Sequence, residues 1–366
     1  MSNKRFFLSS FISLGHTLWS QFLERVVLDG GTAEQSEVVI PKLNRNTDAD
    51  VVMIPSGYKA TKLYSQIGTD GVDDFDVARN SIATRVNKSG LIEEVAIDVP
   101  RLDYSDGACP VLLTEPQSVN LYLNSDVLVT QGITTLASDY TVSFYGTGTV
   151  TFSGTYIGSL VGTGGRVTKT FTATAGTLTS TVSGTVTQAQ IENLGYATSY
   201  IKTEGATVTR LGDVVGGAGD VNSFNSEEGV LYFEGNYKLD GLSKRIYISD
   251  GTTTNRIILT FSDTQITFEV IVNSVAQSGL AYGIITTSFN KIAIKWKLND
   301  FALWLNGVEK LTDTNGVVFP INTLNRLDLR HISNVDFLYG KVKALKVFKT
   351  ALNDTQLAQL TTTGEI

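Results

Sequence analysis

The sequence predicts a mainly β protein: a helix-containing N-terminal region, then a central jelly roll or β-sandwich, then a C-terminal β-sandwich. Strand-like runs keep apolar residues on one phase, as in YTVSFYGTGTVTF, where Val142 and Phe144, then Val150 and Phe152, share a face. Turns carrying Gly, Asn or Asp separate such runs about every 8–12 residues, the spacing of sandwiches and jelly rolls. The composition agrees: 34 Gly against 6 Pro in 366 residues, with Thr concentrated mid-chain, suits β structure with many tight turns.

Residues 1–60 read as the N-terminal region. Phe7, Phe11, Leu14, Leu18 and Phe22 recur at steps of three or four, so a helix would carry them on one face. That stripe reads either as the core of a small domain or as an anchor docked into a larger assembly. Lys4 and Arg5 before it imitate a signal peptide, but no small-residue cleavage site follows. His16, Gln21, Glu24 and Arg25 interrupt the apolar run too early for a membrane span of about 20 residues, so no transmembrane segment is expected.

Residues 61–117 read as a connecting β module. The run DGVDDFD at 70–76 lacks the spacing and distal Glu of a calcium loop, so a solvated acidic turn is expected. Asn87, Ser89 and Gly90 suit a turn between two strands, which makes a hairpin, and Arg79, Arg85 and Arg101 are expected to pair with nearby acids. Residues 118–213 form the Thr-rich jelly roll, whose second phase is Thr rather than charge, a polar but neutral strand face suited to packing against sister chains. Residues 214–225 read as a linker. Residues 226–366 form the C-terminal sandwich. There Ile292, Ile294, Trp296 and Leu298 share a face, Asn306-Gly307 is a two-residue hairpin turn, and Asn353 with Gln356 makes a capping box for a final helix sealed by Leu357 and Leu360.

Charge and chemistry narrow the function classes. The net charge is −7 with no block of Lys and Arg, so nucleic acid is not an expected partner. Cys109 is the only cysteine, which excludes an internal disulfide; with His16 and His331 as the only histidines, it also argues against a Cys/His zinc site. In its apolar setting GACPVLL the thiol is expected to be buried. No nucleophile elbow, zinc-protease helix motif or P-loop is present. The strand-like run TQITFEVIVNS offers Glu269 alone, where a glycosidase needs two carboxylates, so no catalytic residues and no enzyme are expected.

The stretch from Phe75 to Ser125 resembles a signature of bacteriophage head-fibre and spike virion proteins. Arg79, Ser81, Ala83, Thr84, Arg85, Val86, Asn87, Gly90, Leu91, Ile92 and Glu93 fit its first half. Pro100, Arg101, Asp103, Tyr104, Cys109, Pro110, Glu115, Pro116 and Gln117 fit its second. Tyr196 to Asp213 resembles the exit from that family's jelly-roll module, and the interval from Asn124 to Tyr140 is short for it. The C-terminal part is similar to laminin-G-like, concanavalin A-like lectin domains.

The resemblance implies a homotrimeric spike or fibre at the virion surface, mounted on other capsid or tail proteins through residues 1–60. Its lectin-like domain would contact a host cell-surface glycan. The alternatives are a capsid decoration protein without receptor binding and a secreted bacterial lectin. Sugars offer apolar ring faces and hydroxyls, so aromatic rings beside Asn or Asp suit them. Tyr237, Tyr247, Asp250, Asn255, Trp304 and Asn306 are the candidate glycan-binding residues. Related sandwiches hold calcium near such loops, but no acidic cluster here demands it; neither a metal site nor a cofactor is expected.

Overall fold

The computed structural model describes residues 49–69, 71–283 and 288–365. The stripe Phe7, Phe11, Leu14, Leu18 and Phe22 therefore lies outside the described residues. The described chain is mainly β, with one α-helix, Asp354–Thr363.

Period-two alternation produces the central sandwich. In the strand Ser138–Tyr145 the residues Tyr140, Val142 and Phe144 turn inward, and in Thr149–Gly154 the residues Val150 and Phe152 do. One sheet orders Gln131–Thr135, Gly176–Ser183, Thr149–Gly154 and Gly158–Val161. The facing sheet orders Val167–Ala173, Ser138–Tyr145 and Thr187–Glu192. Leu178, Ile191 and Phe171 complete the core between them. Thr151, Thr168, Thr170, Thr172, Thr177 and Thr181 occupy the exposed phase, so the outer faces are polar and carry little charge, Asp139 opposite Thr172 being an exception.

The second sandwich gathers strands from three parts of the chain. Its eight-stranded sheet runs Val308–Asp313, Phe301–Leu305, Asn290–Lys297, Glu228–Tyr237, Gly340–Phe348, Val111–Thr114 and Leu102–Asp103, with Val51–Met53 beside Gly340–Phe348 as well. The long strand Gly340–Phe348 is shared: Val342 lies opposite Leu112, and Val347 opposite Val51. The five-stranded sheet runs Val275–Gly283, Gln265–Val272, Arg256–Phe261, Lys244–Ser249 and Arg326–Asp328. Leu231, Phe233, Ile294, Trp296, Ile248 and Phe268 belong to one continuous core. Gly229 is required beside the indole, because a Cβ there would stand 2.4 Å from Trp296 Cζ2.

Residues 214–225 are built into this sandwich rather than linking to it. Val214–Gly216 pairs with Phe75–Ala78, and Val215 and Phe224 enter the core. Their Gly-rich composition reflects close packing: a Cβ on Gly216 would collide with Asp328 Oδ1 at 2.1 Å.

The other local signals fold as the residue chemistry requires. Asn306 and Gly307 have φ of 49° and 83°, the double left-handed geometry of their hairpin turn. Asn353 Oδ1 accepts from Gln356 N and Gln356 Oε1 from Asn353 N, each at 3.0 Å, closing the capping box. Leu357 and Leu360 press that helix onto the outside of the eight-stranded sheet, against Tyr232 and Trp304. Leu298 departs from its expected face: the strand ends at Lys297, and Leu298 sits in the turn, exposed.

Two further expectations change. Among its described residues the acidic turn is solvated only at Asp76: Asp73 and Asp74 are buried, and Asp74 Oδ1 accepts from Ser65 N at 2.8 Å, bracing the loop from inside. Cys109 is exposed, because the apolar residues after it turn into the sheet at Val111 while Cys109 remains in the preceding loop.

Candidate functional site

Arg79, Arg101 and Arg210 are each 1 % exposed, and buried guanidiniums persist only where carboxylates and carbonyls answer them. Arg79 Nη1 donates to Asp213 Oδ1 at 2.9 Å, and Arg101 Nη1 donates to Glu115 Oε2 at 2.7 Å. Arg101 Nη2 donates to Asp213 Oδ2, and Arg210 stands 3.6 Å from Glu115. The acids also hold backbone: Glu115 N donates to Asp213 Oδ2 and Ser199 N to Glu115 Oε1, both at 2.8 Å. Burial alone would raise the Glu115 carboxyl; Arg101 and Arg210 outweigh it and hold the group well below the usual carboxylate range. Buried Glu192 goes the other way, pushed up by burial although Ser118 and Thr198 donate to it.

This network ties the sandwiches together. Glu115 follows the sheet strand Val111–Thr114, Asp213 precedes Val214–Gly216, and Ser199 and Arg210 lie on the exit from the central sandwich. The hairpin Ala83–Val86 and Ile92–Val95 is fastened beside it, where Thr84 Oγ1 donates to Tyr200 O at 2.6 Å.

Above the network opens a cleft of about 410 Å³. Glu115, Thr198 and Ser199 line it along with three walls. The hairpin supplies Arg85, Val86 and Ile92; the central sandwich supplies Tyr145 and Arg166; the second sandwich supplies Asn236, Lys238 and Lys341, next to Asp103 and Ser105. Its size falls in the range of small-ligand sites, about 300–1,000 Å³. Asp103 accepts from Val86 N at 2.8 Å and Ser105 N at 3.0 Å, so it is a structural acceptor. A smaller cleft of about 370 Å³ lies across the hairpin, sharing Thr84 and Tyr200.

The residues expected to meet sugar do not converge. Tyr237 is 3 %, Tyr247 1 % and Trp304 6 % exposed, leaving none of the three a free ring face. Tyr237 stacks on Phe261 at 4.8 Å between the sheets, Tyr247 packs edge-on to His331, and Trp304 is roofed by the final helix. Asp250 and Asn255 close one loop through Asp250 Oδ2 and Asn255 Nδ2 at 2.9 Å. Asn306 is bound to Asn290 Oδ1 at 3.0 Å on the other sheet. The expected ion pairs do form, Arg85 with Glu93 at 3.1 Å and Arg79 and Arg101 as above. The cleft residues Tyr145, Arg166, Lys238 and Lys341 carried no sequence signal, since only the fold brings them together.

No protein-family model matches the chain, and the search of curated proteins returns no match. Solved structures with partial likeness include the Ruminococcus gnavus IT-sialidase CBM40 bound to α2,3-sialyllactose. It has 17 % identity and a TM-score of 0.33 over 37 % of this chain and 82 % of that one. Domain 4 of AbnA, a Geobacillus stearothermophilus GH43 extracellular arabinanase, in complex with arabinotriose, has 15 % identity and a TM-score of 0.33 over 46 % of this chain and 83 % of that one. A heptameric SAP-like pentraxin from Limulus polyphemus has 13 % identity and a TM-score of 0.32 over 37 % and 70 %. Likeness at this level says nothing about what this chain binds.

Proposed function

We propose that this chain is a structural spike or fibre protein of a phage particle, mounted through its N-terminal region and making contact with a host-surface glycan. The observation that supports this reading most is the buried network. Arg79, Arg101 and Glu115, all in the head-fibre signature, meet Asp213 at one point that joins the sandwiches. A projecting fibre must hold its contact surface at a fixed angle to its mount, and buried charge pairs specify one arrangement over others. The cleft beside this joint is lined mainly by polar and charged residues, with Val86, Ile92 and Leu113 among them, and is sized for a saccharide unit. Both carboxylates lining it are engaged, Glu115 by Arg101 and Asp103 by backbone N–H groups, which favours binding over acid–base chemistry there.

The Thr-rich faces and the exposed Ile157 and Val161, at 82 % and 59 %, just before and at the end of the edge strand Gly158–Val161, fit association with further copies as a homotrimer. Two experiments test the proposal. Excess purified chain should block adsorption of particles that carry it; undiminished adsorption would refute host contact. Light scattering should give three chains per particle of free protein, and a monomer at high concentration would refute the trimer.

A further inference from the structure

We propose that the cleft takes an acidic sugar, a saccharide unit bearing a carboxylate, with Arg166 and Lys238 as its counter-charges. This rests on the glycan-binding reading and adds the ligand's chemistry.

The chain carries a net charge of −7, yet four cations, Arg85, Arg166, Lys238 and Lys341, line the cleft against two carboxylates. Neither carboxylate is free to offset them. Glu115 already answers Arg101 at 2.7 Å and Ser199 Oγ at 2.6 Å. Asp103 answers Val86 N, Ser105 N and, at 3.7 Å, Lys341.

The four cations divide into two pairs. Arg85 has Glu93 at 3.1 Å, and Lys341 has Asp106 at 2.6 Å. Arg166 and Lys238 have no acidic partner among the described residues. Arg166 Nη2 donates to Ser143 Oγ at 2.9 Å and to Thr198 O, both neutral acceptors. Lys238 Nζ lies 5.2 Å over the Tyr196 ring.

Their positions suit a carboxylate. The bonds through Nη2 fix the Arg166 guanidinium and leave Nε and Nη1 as donors, and a guanidinium edge matches a carboxylate with two parallel bonds. Lys238 arrives from the other sandwich as a point charge. Tyr145, half-buried, lines the same cleft and brings an aromatic ring of the kind that suits an apolar sugar face. A polyanion such as nucleic acid is disfavoured, because the surplus is local and the rest of the acidic chain repels a long run of negative charge.

The test is calorimetric titration of the full chain with trigalacturonate and with neutral galactotriose. Trigalacturonate should bind at least about tenfold more tightly, and added salt should erode the difference. Arg166→Gln and Lys238→Gln should each weaken trigalacturonate about tenfold, leaving the thermal midpoint and any galactotriose affinity unchanged. Equal affinity for the two sugars would overturn the inference while leaving glycan binding intact. Failure of both sugars would overturn it too; the adsorption block then decides the broader reading separately. Displacement of trigalacturonate by sulfate at equal concentration would reduce the site to an anion site and overturn the sugar assignment.

Discussion

Asp213→Asn removes one charge from the point where two buried guanidiniums meet. Asp213 Oδ1 accepts from Arg79 at 2.9 Å, and Oδ2 accepts from Arg101 and from Glu115 N, the latter at 2.8 Å. The side chains of both arginines are 0 % exposed and that of Asp213 is 2 %, so water cannot replace the lost charge. An amide of the same shape keeps one acceptor and turns an NH2 group toward guanidinium donors. Breaking a buried ion pair from one side costs about 3–5 kcal/mol, which for a chain of this size lowers the thermal midpoint by about 5 °C. The matched control is Glu93→Gln, whose partner Arg85 is 16 % exposed and which is itself 43 % exposed. That pair is worth about 0–1 kcal/mol. Thermal unfolding followed by near-ultraviolet circular dichroism compares the two. A cost for Asp213→Asn within about 1 kcal/mol of the control would refute the network as the joint between sandwiches.

Three further outcomes follow from the final helix and the sheet beneath it. Trp304→Ala should cost about 3–5 kcal/mol in urea unfolding and leave sugar affinity unchanged; a selective loss of binding by folded protein would return Trp304 to the site. Asn353→Ala should cost about 1 kcal/mol by the same measurement, since it opens the capping box, and no loss would show the cap to be idle. Burial pushes the Lys346 ammonium down to about 8, against about 10.4 in an unfolded chain. Between those values the unfolded state binds more protons, so the Lys346 contribution to stability rises with pH, by at most about 3 kcal/mol. Unfolding at pH values spanning that window should show wild type gaining on Lys346→Met, and parallel profiles would refute the assignment.

Local chemistry made much of the fold legible. The phase of Val142, Phe144, Val150 and Phe152, the Asn306-Gly307 turn and the Asn353 cap each depend on neighbours within a few residues. What escaped depends on distant partners. Val51–Met53 and Val111–Thr114 are buried along their whole length, so neither shows alternation, and nothing local assigns them to a sheet that closes roughly 300 and 230 residues later, respectively, at Gly340–Phe348. Phe301–Leu305 is buried on both faces because the final helix roofs one of them, which is why Trp304 could be recognised as a large aromatic but not placed. The arginines Arg79 and Arg101 stood out through their signature. The cleft cations did not: Arg166 follows a Gly-Gly pair and Lys238 follows the end of a strand, and only the tertiary fold brings them to one cleft.

Central to the account is a particle-mounted protein that meets the host. The direct measurement is electron microscopy of purified particles labelled with an antibody fragment raised against folded full-length chain. The account predicts label on density projecting from the particle surface; particles that lack the protein, or carry it only beneath the shell, would contradict it.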